Sequence, residues 1–135
     1  NDVSNNVSLV SSFLSVRKEL VLAQQVLADN HNVVMDGRDI GYKVLPNAKY
    51  KFYLTASIKK RAERRNIDNI KRNIKSDLEI IEKEIERRDF LDTTRKYSPL
   101  KAADDAVIID TSDLAIDQVV KLITDKIMED EKNGF

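Results

Sequence analysis

A short turn combines the residue types that bind polar ligands. The apolar run Val33-Val34-Met35 favours a buried strand, and Asp36-Gly37-Arg38-Asp39 follows it directly. In α/β proteins ligands commonly bind where a parallel strand ends in a turn. Gly37 and Gly41 let the backbone turn sharply and let a ligand approach closely. We therefore expect this turn, with its acid, base and second acid, to carry the chemistry of the protein.

A second set of charged residues recurs at helical spacing. Arg88, Asp92 and Arg95 lie at positions i, i+4 and i+7, so a cation, an anion and a cation share one helix face. They could bind one polar ligand together. They could equally form a solvent-exposed salt bridge that contributes little to stability. Spacing alone leaves both interpretations open.

Three further arginines, Arg61, Arg64 and Arg65, lie at i, i+3 and i+4 of a helix that Ser57 is predicted to cap. Their guanidinium groups fall on about one face. The sequence thus predicts a local cationic ridge near the start of this helix.

Composition limits the possible functions. The chain has 135 residues, equal numbers (23) of Lys+Arg and Asp+Glu, and no cysteine. That length suits one domain, and a net charge of zero gives no global field that would attract nucleic acid or an anionic membrane. The absence of cysteine fits a reducing cytoplasm. We see neither a run of membrane-spanning length nor a signal peptide, so we expect a cytoplasmic protein.

Apolar periodicity predicts helices alternating with short strands. Helices are predicted over Phe13 to about Asp29, after Ser57, from Ser76 and over Ile116 to Ile127, and buried strands over 33–35, 50–54 and 106–110. Residues 66–75 are polar and are expected to be mobile. A capping box of Ser76 and Glu79 is predicted to start the third helix, which we expect to lie on the rim. This order predicts an α/β fold, a three-layer parallel sheet with flanking helices.

The motifs together resemble one family. They run in order along nearly the whole chain: Asp36-Gly37-Arg38-Asp39-Ile40-Gly41, Val44-Leu45-Pro46-Asn47-Ala48, Arg61-Ala62-x-Arg64-Arg65, Arg88-Asp89-x-x-Asp92-x-x-Arg95, Pro99-Leu100, and Ile109-Asp110-Thr111-Ser112. This pattern is similar to that of the bacterial cytidylate kinases. The resemblance implies a P-loop nucleoside monophosphate kinase-like fold. It also implies transfer of the γ-phosphoryl group of ATP to CMP or dCMP with Mg²⁺, giving ADP and CDP or dCDP.

The resemblance also implies which residues bind CMP. Asp39 is expected to read the base, because a carboxylate that only accepts hydrogen bonds suits the amino group of cytosine. Ser8 and Arg17 would be further base contacts, and Arg88 and Asp92 would bind the sugar. Arg38 and Arg95 would hold the monophosphate and act in catalysis.

The ATP side follows from the same resemblance. Arg64 is expected to touch the phosphates of ATP and to be catalytic, because arginine has a fixed and permanent charge. Arg65 would assist, and Arg61 would either bind ATP or be structural. Asp110, Thr111 and Ser112 would lie near adenine. No residue is assigned as a direct metal ligand, and Asp36 is either an indirect magnesium partner or a cap for its own loop.

Segment boundaries follow from the same comparison. Residues 1–12 would end the CMP-binding insert, 13–65 and 97–135 would form the core, and 66–96 would form the lid and the Arg/Asp helix. Ala115 stands where relatives usually have a capping serine, so Ser112 or Asp113 is the expected cap of the last helix.

One motif of such kinases is missing. No Gly-x-x-x-x-Gly-Lys-[Ser/Thr] loop occurs, so the chain resembles only the C-terminal part of the family and the predicted fold is incomplete at its N-terminus. Two explanations stay open: a piece of a complete, monomeric kinase, or a catalytically inactive nucleotide-binding or interaction module. A piece lacking its central strand is expected to be inactive alone and to associate through its exposed sheet edge.

Overall fold

The structure, a computed structural model, describes residue 10 and residues 13–134. Its elements are helix α1 (Leu14–Ala28), a π-helical turn (Ile40–Val44), strand β1 (Phe52–Thr55), helices α2 (Ile58–Lys71) and α3 (Leu78–Thr94), strand β2 (Val107–Asp110) and helix α4 (Ile116–Lys132). Ser8 and most of the predicted segment 1–12 lie outside the described residues. None of the helices in the described ranges is long and apolar enough to cross a membrane.

Strands β1 and β2 form a small parallel sheet. Phe52 pairs with Val107 and Thr55 with Asp110, so the two strands end at the same edge. The side-chain hydroxyl of Thr111 donates to the carbonyl of Thr55 at 3.0 Å and ties the two ends together. The parallel arrangement with flanking helices was predicted. The prediction that both strands are buried is wrong for the described residues, because Leu54 and Ile108 are largely exposed.

The apolar run Val33-Val34-Met35 forms no strand in this structure, so that prediction is wrong. A strand needs a neighbour to exchange backbone hydrogen bonds. Within residues 13–134 this run has none, and Val34 is fully exposed. The sheet of the described residues therefore has two strands rather than three.

The core that the described residues form lies between α2 and α3. Ala62 on α2 packs with Ile81 and Ile85 on α3, and Ile58 covers this cluster. The spacing of Ile81 and Ile85 places both on one face of α3, as the sequence predicted. Most other positions of α3 are exposed, as expected for a helix with one narrow apolar stripe. The apolar face of α4, in contrast, is largely exposed at Ile116 and Val120.

Helix boundaries differ from prediction at three places. Helix α2 continues to Lys71, so the polar segment 66–75, which is expected to be mobile, is helical over its first residues. Helix α3 is capped by Asp77, whose carboxylate accepts from the backbone N–H groups of Glu79 (2.9 Å) and Ile80 (3.2 Å). The hydroxyl of Ser76 instead donates to Asn66, at 2.6 Å. Carboxylates are strong caps, and Asp77 stands one residue closer to the helix.

Helix α4 starts after Ala115, with neither Ser112 nor Asp113 as its cap. The side chain of Gln118 reaches back and accepts from the backbone N–H of Ala115 at 2.8 Å. This contact supplies the half of a capping box that does not need a hydroxyl at the N-cap. At the start of α2 the prediction is confirmed, because the Ser57 hydroxyl accepts from the N–H of Lys60 at 3.3 Å.

Candidate functional site

The Gly-Arg-Asp turn is held against α1. Asp39 is the residue before the π-helical turn, and its side chain, 2% exposed, forms an ion pair with Arg17 of α1. Gln25 of the same helix donates to the carbonyl of Val44 at 3.0 Å and fixes the other end of the π-helical turn. A Cβ on Gly37 would lie only 2.9 Å from Cγ1 of Ile40, which explains the need for glycine where the turn begins.

Asp92 is the centre of a cluster of guanidinium groups. Its carboxylate is 4% exposed and lies 3.0 Å from Nε of Arg38, 3.9 Å from Nε of Arg88 and 3.9 Å from Nη1 of Arg95. Helix α3 provides Asp92 and Arg88, its C-cap provides Arg95, and the Gly-Arg-Asp turn provides Arg38. The residues predicted from helical spacing and those of the Gly-Arg-Asp turn therefore lie together around Asp92.

Arg95 is fixed by a tight loop after α3. Its Nε donates to the carbonyl of Ser98 at 2.6 Å, and the N–H of Leu100 donates to the carbonyl of Asp92 at 2.7 Å. Ser98 has a φ of 52°, the left-handed region that side chains rarely adopt. The side chain of Arg95 is consequently buried while its guanidinium group faces Asp92.

Tyr42 is part of this site and was missed by the sequence reasoning. Its hydroxyl donates to the carbonyl of Pro99, and Nζ of Lys101 lies 4.6 Å from the centre of its ring. Burial and then the charge of Asp39 raise the pKa of Tyr42, against smaller opposing effects of Arg95 and Arg17. The hydroxyl therefore stays protonated and able to donate. Only the position of Tyr42 directly after Gly41 could have indicated a role.

A second group of polar residues lies beyond the carboxyl ends of the strands. Arg64 donates through Nη2 to the carbonyls of Thr111 and Leu114, the latter at 3.1 Å. The carboxylate of Asp110 accepts from the hydroxyl of Ser112 at 2.6 Å and from its backbone N–H at 2.9 Å. These hydrogen bonds lower the pKa of Asp110. The structure thus brings Arg64 to the loop that was predicted to lie near adenine.

The remaining arginines of the cationic ridge bridge α2 and α3. Arg61 forms a two-pronged ion pair with Asp89, at 2.9 and 2.5 Å, and also donates to the carbonyl of Ala56. Arg65 lies 3.3 Å from Glu84. Hydrogen bonding to Asp89 raises the pKa of Arg61 above its ordinary value. The structural alternative for Arg61 thus has direct support in these contacts.

Asp36 is exposed and makes no hydrogen bond or ion pair with the described residues. No group of three or more His, Cys, Asp or Glu side chains that could hold a metal ion occurs within residue 10 and residues 13–134. The loop cap considered for Asp36 is therefore not formed by a hydrogen bond among the described residues.

The Arg17–Asp39 pair and the cluster around Asp92 together have the chemistry of a site for a polar anion. Asp39 and Asp92 are buried and can only accept hydrogen bonds when ionised, while the arginines around them donate in a fixed geometry. Nε of Arg17 is buried without a hydrogen-bond partner among the described residues. A buried donor of this kind is normally satisfied, and a ligand would satisfy it.

Clusters of arginines with a fixed guanidinium geometry are typical of sites that bind phosphate groups and carboxylates. Comparison with known proteins identifies the family: residues 1–129 match the family described as cytidylate kinase. Cytidylate kinases of Geobacillus sp. (strain WCH70) and Ligilactobacillus salivarius (strain UCC118) are each 54% identical over 128 residues, which cover 95% of this chain and 55% and 57% of the relatives. That of Streptococcus pyogenes serotype M5 (strain Manfredo) is 51% identical over 126 residues, 93% of this chain and 56% of the relative.

The chain belongs to the cytidylate kinase family. It spans about half the length of the curated relatives that it matches. The family resemblance inferred from the Gly-Arg-Asp turn, the Arg-Asp helix and the Pro-Leu segment is confirmed.

Proposed function

We propose that the full-length protein is a cytidylate kinase that transfers the γ-phosphoryl group of ATP to CMP or dCMP. The observation that carries this proposal is that two buried carboxylates each hold arginines from other segments: Asp39 pairs with Arg17 of α1, and Asp92 pairs with Arg38 of the Gly-Arg-Asp turn and with Arg95. Membership of the family supports it. The corresponding fold would be that of the P-loop nucleoside monophosphate kinases, of which this chain contributes the C-terminal part.

Asp39 and Arg17 are proposed to bind the cytosine base. The carboxylate of Asp39 would accept from the amino group of cytosine, whereas uracil offers a carbonyl oxygen there and would be repelled. The unpartnered Nε of Arg17 supports a ligand contact beside Asp39. Ser8, which lies outside the described residues, is proposed as the third base contact.

The cluster around Asp92 is proposed to bind sugar and phosphate. Asp92 would accept from a sugar hydroxyl with Arg88 beside it, and Arg38 and Arg95 would bind the monophosphate. Asp92 keeps these guanidinium groups close together, so their arrangement needs little rearrangement when an anion arrives. Their permanent charge would stabilise the negative charge that develops during phosphoryl transfer.

The ATP side is proposed to consist of Arg64 and the loop Asp110-Thr111-Ser112, with Arg65 near the phosphates. The hydrogen bonds from Arg64 to this loop support the assignment, because one side chain then links the phosphate side to the adenine side. Arg61 is proposed to serve chiefly by fixing α2 on α3 through Asp89. Mg²⁺ would arrive with ATP and neutralise phosphate charge, with Asp36 as an indirect partner.

The remaining assignments are proposals about the whole protein. Residues 13–65 and 97–135 would form the core, and 66–96 the lid with the Arg/Asp helix. Helix α2 crosses the boundary at 65, so that lid would share a helix with the core. The protein would act as a cytoplasmic monomer on nucleotides alone.

A coupled assay of ADP formation tests the function. The full-length protein is mixed with ATP and Mg²⁺, and CMP, dCMP, UMP and AMP are compared as acceptors. Turnover with CMP or dCMP well above that with UMP and AMP is expected. CMP binding by calorimetry without turnover, and without dependence on ATP or Mg²⁺, would instead indicate an inactive binding module.

A further inference from the structure

We propose that Tyr42 is a positioning residue for CMP binding: its hydroxyl holds the Arg95–Leu100 loop in the shape that directs Arg95 into the cluster around Asp92. This inference rests on the proposed function and extends it to a residue outside the family motifs described above. It follows from the hydrogen bond between the Tyr42 hydroxyl and the Pro99 carbonyl, which joins two segments 57 residues apart.

The loop that Tyr42 contacts is strained. Ser98 has a φ of 52° and precedes a proline, and the residue before a proline favours extended backbone. A left-handed conformation at a residue other than glycine persists only when surrounding contacts enforce it. Here the hydrogen bond from Tyr42 is made to the very next residue, Pro99.

The strained residue is also the one that orients Arg95. The carbonyl of Ser98 accepts from Nε of Arg95 at 2.6 Å, so the direction of that carbonyl sets the direction of the guanidinium group. Nη1 of Arg95 is then 3.9 Å from Asp92. Relaxation of Ser98 would turn its carbonyl and move the guanidinium group away from Asp92 and from the proposed phosphate position.

Tyr42 suits this role because it belongs to a rigid part of the site. The π-helical turn that carries it is fixed by the hydrogen bond from Gln25 to Val44, and the turn begins next to Asp39, which is paired with Arg17. Tyr42 thus connects the turn beside the Arg17–Asp39 pair with the loop that carries Arg95. Lys101, over the ring of Tyr42, covers it on one face.

The test is steady-state kinetics of the full-length protein carrying Tyr42→Phe, which removes the hydroxyl and keeps the ring. KM for CMP is expected to rise about 3- to 10-fold, the effect of one lost hydrogen bond, with KM for ATP unchanged. Tyr50→Phe is the matched control, because the hydroxyl of Tyr50 donates to the exposed Glu131. That variant is expected to keep both KM values.

A rescue variant separates positioning from a general loss of stability. Glycine adopts the left-handed region at little cost, so adding Ser98→Gly to Tyr42→Phe is expected to return KM for CMP toward its original value. An unchanged KM for CMP in Tyr42→Phe, or a rise in both KM values with no rescue, would overturn the inference while leaving the proposed function intact. Absence of CMP turnover in the unsubstituted protein would overturn the function, and the inference with it.

Discussion

Asp39→Asn tests the proposal that Asp39 distinguishes cytosine from uracil. Asparagine keeps the shape of the side chain but can present either an N–H or an oxygen to the base. A well-placed hydrogen bond to a base contributes about 1–3 kcal/mol of discrimination. The ratio of kcat/KM for CMP to that for UMP is therefore expected to fall about 5- to 150-fold.

The same substitution also has a predictable effect on stability. Arg17 is 12% exposed and would lose the charge of its partner. Leaving a largely buried charge unpaired costs about 3 kcal/mol, which for a protein of the relatives' size corresponds to a fall in Tm of roughly 6–12 °C. CMP and UMP are assayed on the same preparation, at a temperature below the Tm of the variant. The loss of stability therefore does not alter the ratio of their kcat/KM values.

Asp89→Asn is the control for the Asp39 experiment. It also removes a carboxylate from an ion pair with an arginine, but that pair is one-third exposed and joins α2 to α3. It is expected to lower the free energy of unfolding by about 1 kcal/mol and to leave the CMP to UMP ratio unchanged. Equal losses for CMP and UMP in Asp39→Asn would refute the assignment of Asp39 to the base.

Three further predictions concern other parts of the molecule. Arg64→Ala is expected to raise KM for ATP about 10-fold and KM for CMP less than about 2-fold in steady-state assays, because under the proposal a charged hydrogen bond is lost only at the ATP site. The reverse pattern would assign Arg64 to the CMP site. Ile81→Ala is expected to lower the free energy of unfolding by about 2–4 kcal/mol in urea titrations, and a loss below about 1 kcal/mol would show that the core lies elsewhere. Ser112→Ala is expected to raise the pKa of Asp110 toward its ordinary 3.8 in an NMR titration. Since the folded-state pKa is lowered, the stability that the contact with Asp110 contributes is present at neutral pH and is lost as pH falls through that pKa. The Ser112 hydroxyl also accepts from the backbone N–H of Ser57 at 2.9 Å, and that contribution does not depend on the charge of Asp110. An unchanged pKa of Asp110 in the variant would contradict the cause given.

The sequence was most informative where local rules decide the structure. Helix α1, the Ser57 cap of α2 and the apolar face of α3 all follow from spacing and capping within a few residues. The parallel pairing of β1 and β2 follows from the helices between them. The meeting of Arg88, Asp92 and Arg95 with the Gly-Arg-Asp turn was predicted only through the family resemblance, because spacing alone could not separate a ligand site from a surface salt bridge.

Other features depended on contacts between distant residues. The run at Val33 has the composition of a strand, but a strand exists only where a neighbour completes its hydrogen bonds. The burial of Ile81 and Ile85 depends on the small side chain of Ala62 opposite them, which the sequence of α3 does not reveal. Tyr42 was missed because the acceptor for its hydroxyl is a backbone carbonyl, and every residue has one.

Helices α2 and α3 form one packed pair, which we call the arm. The Ala62 cluster and the ion pairs of Arg61 and Arg65 hold the two helices together along their length. Arg64 lies on one helix of this arm and Arg88 with Asp92 on the other. Any rotation of the arm as one body would therefore move groups of both proposed nucleotide sites together.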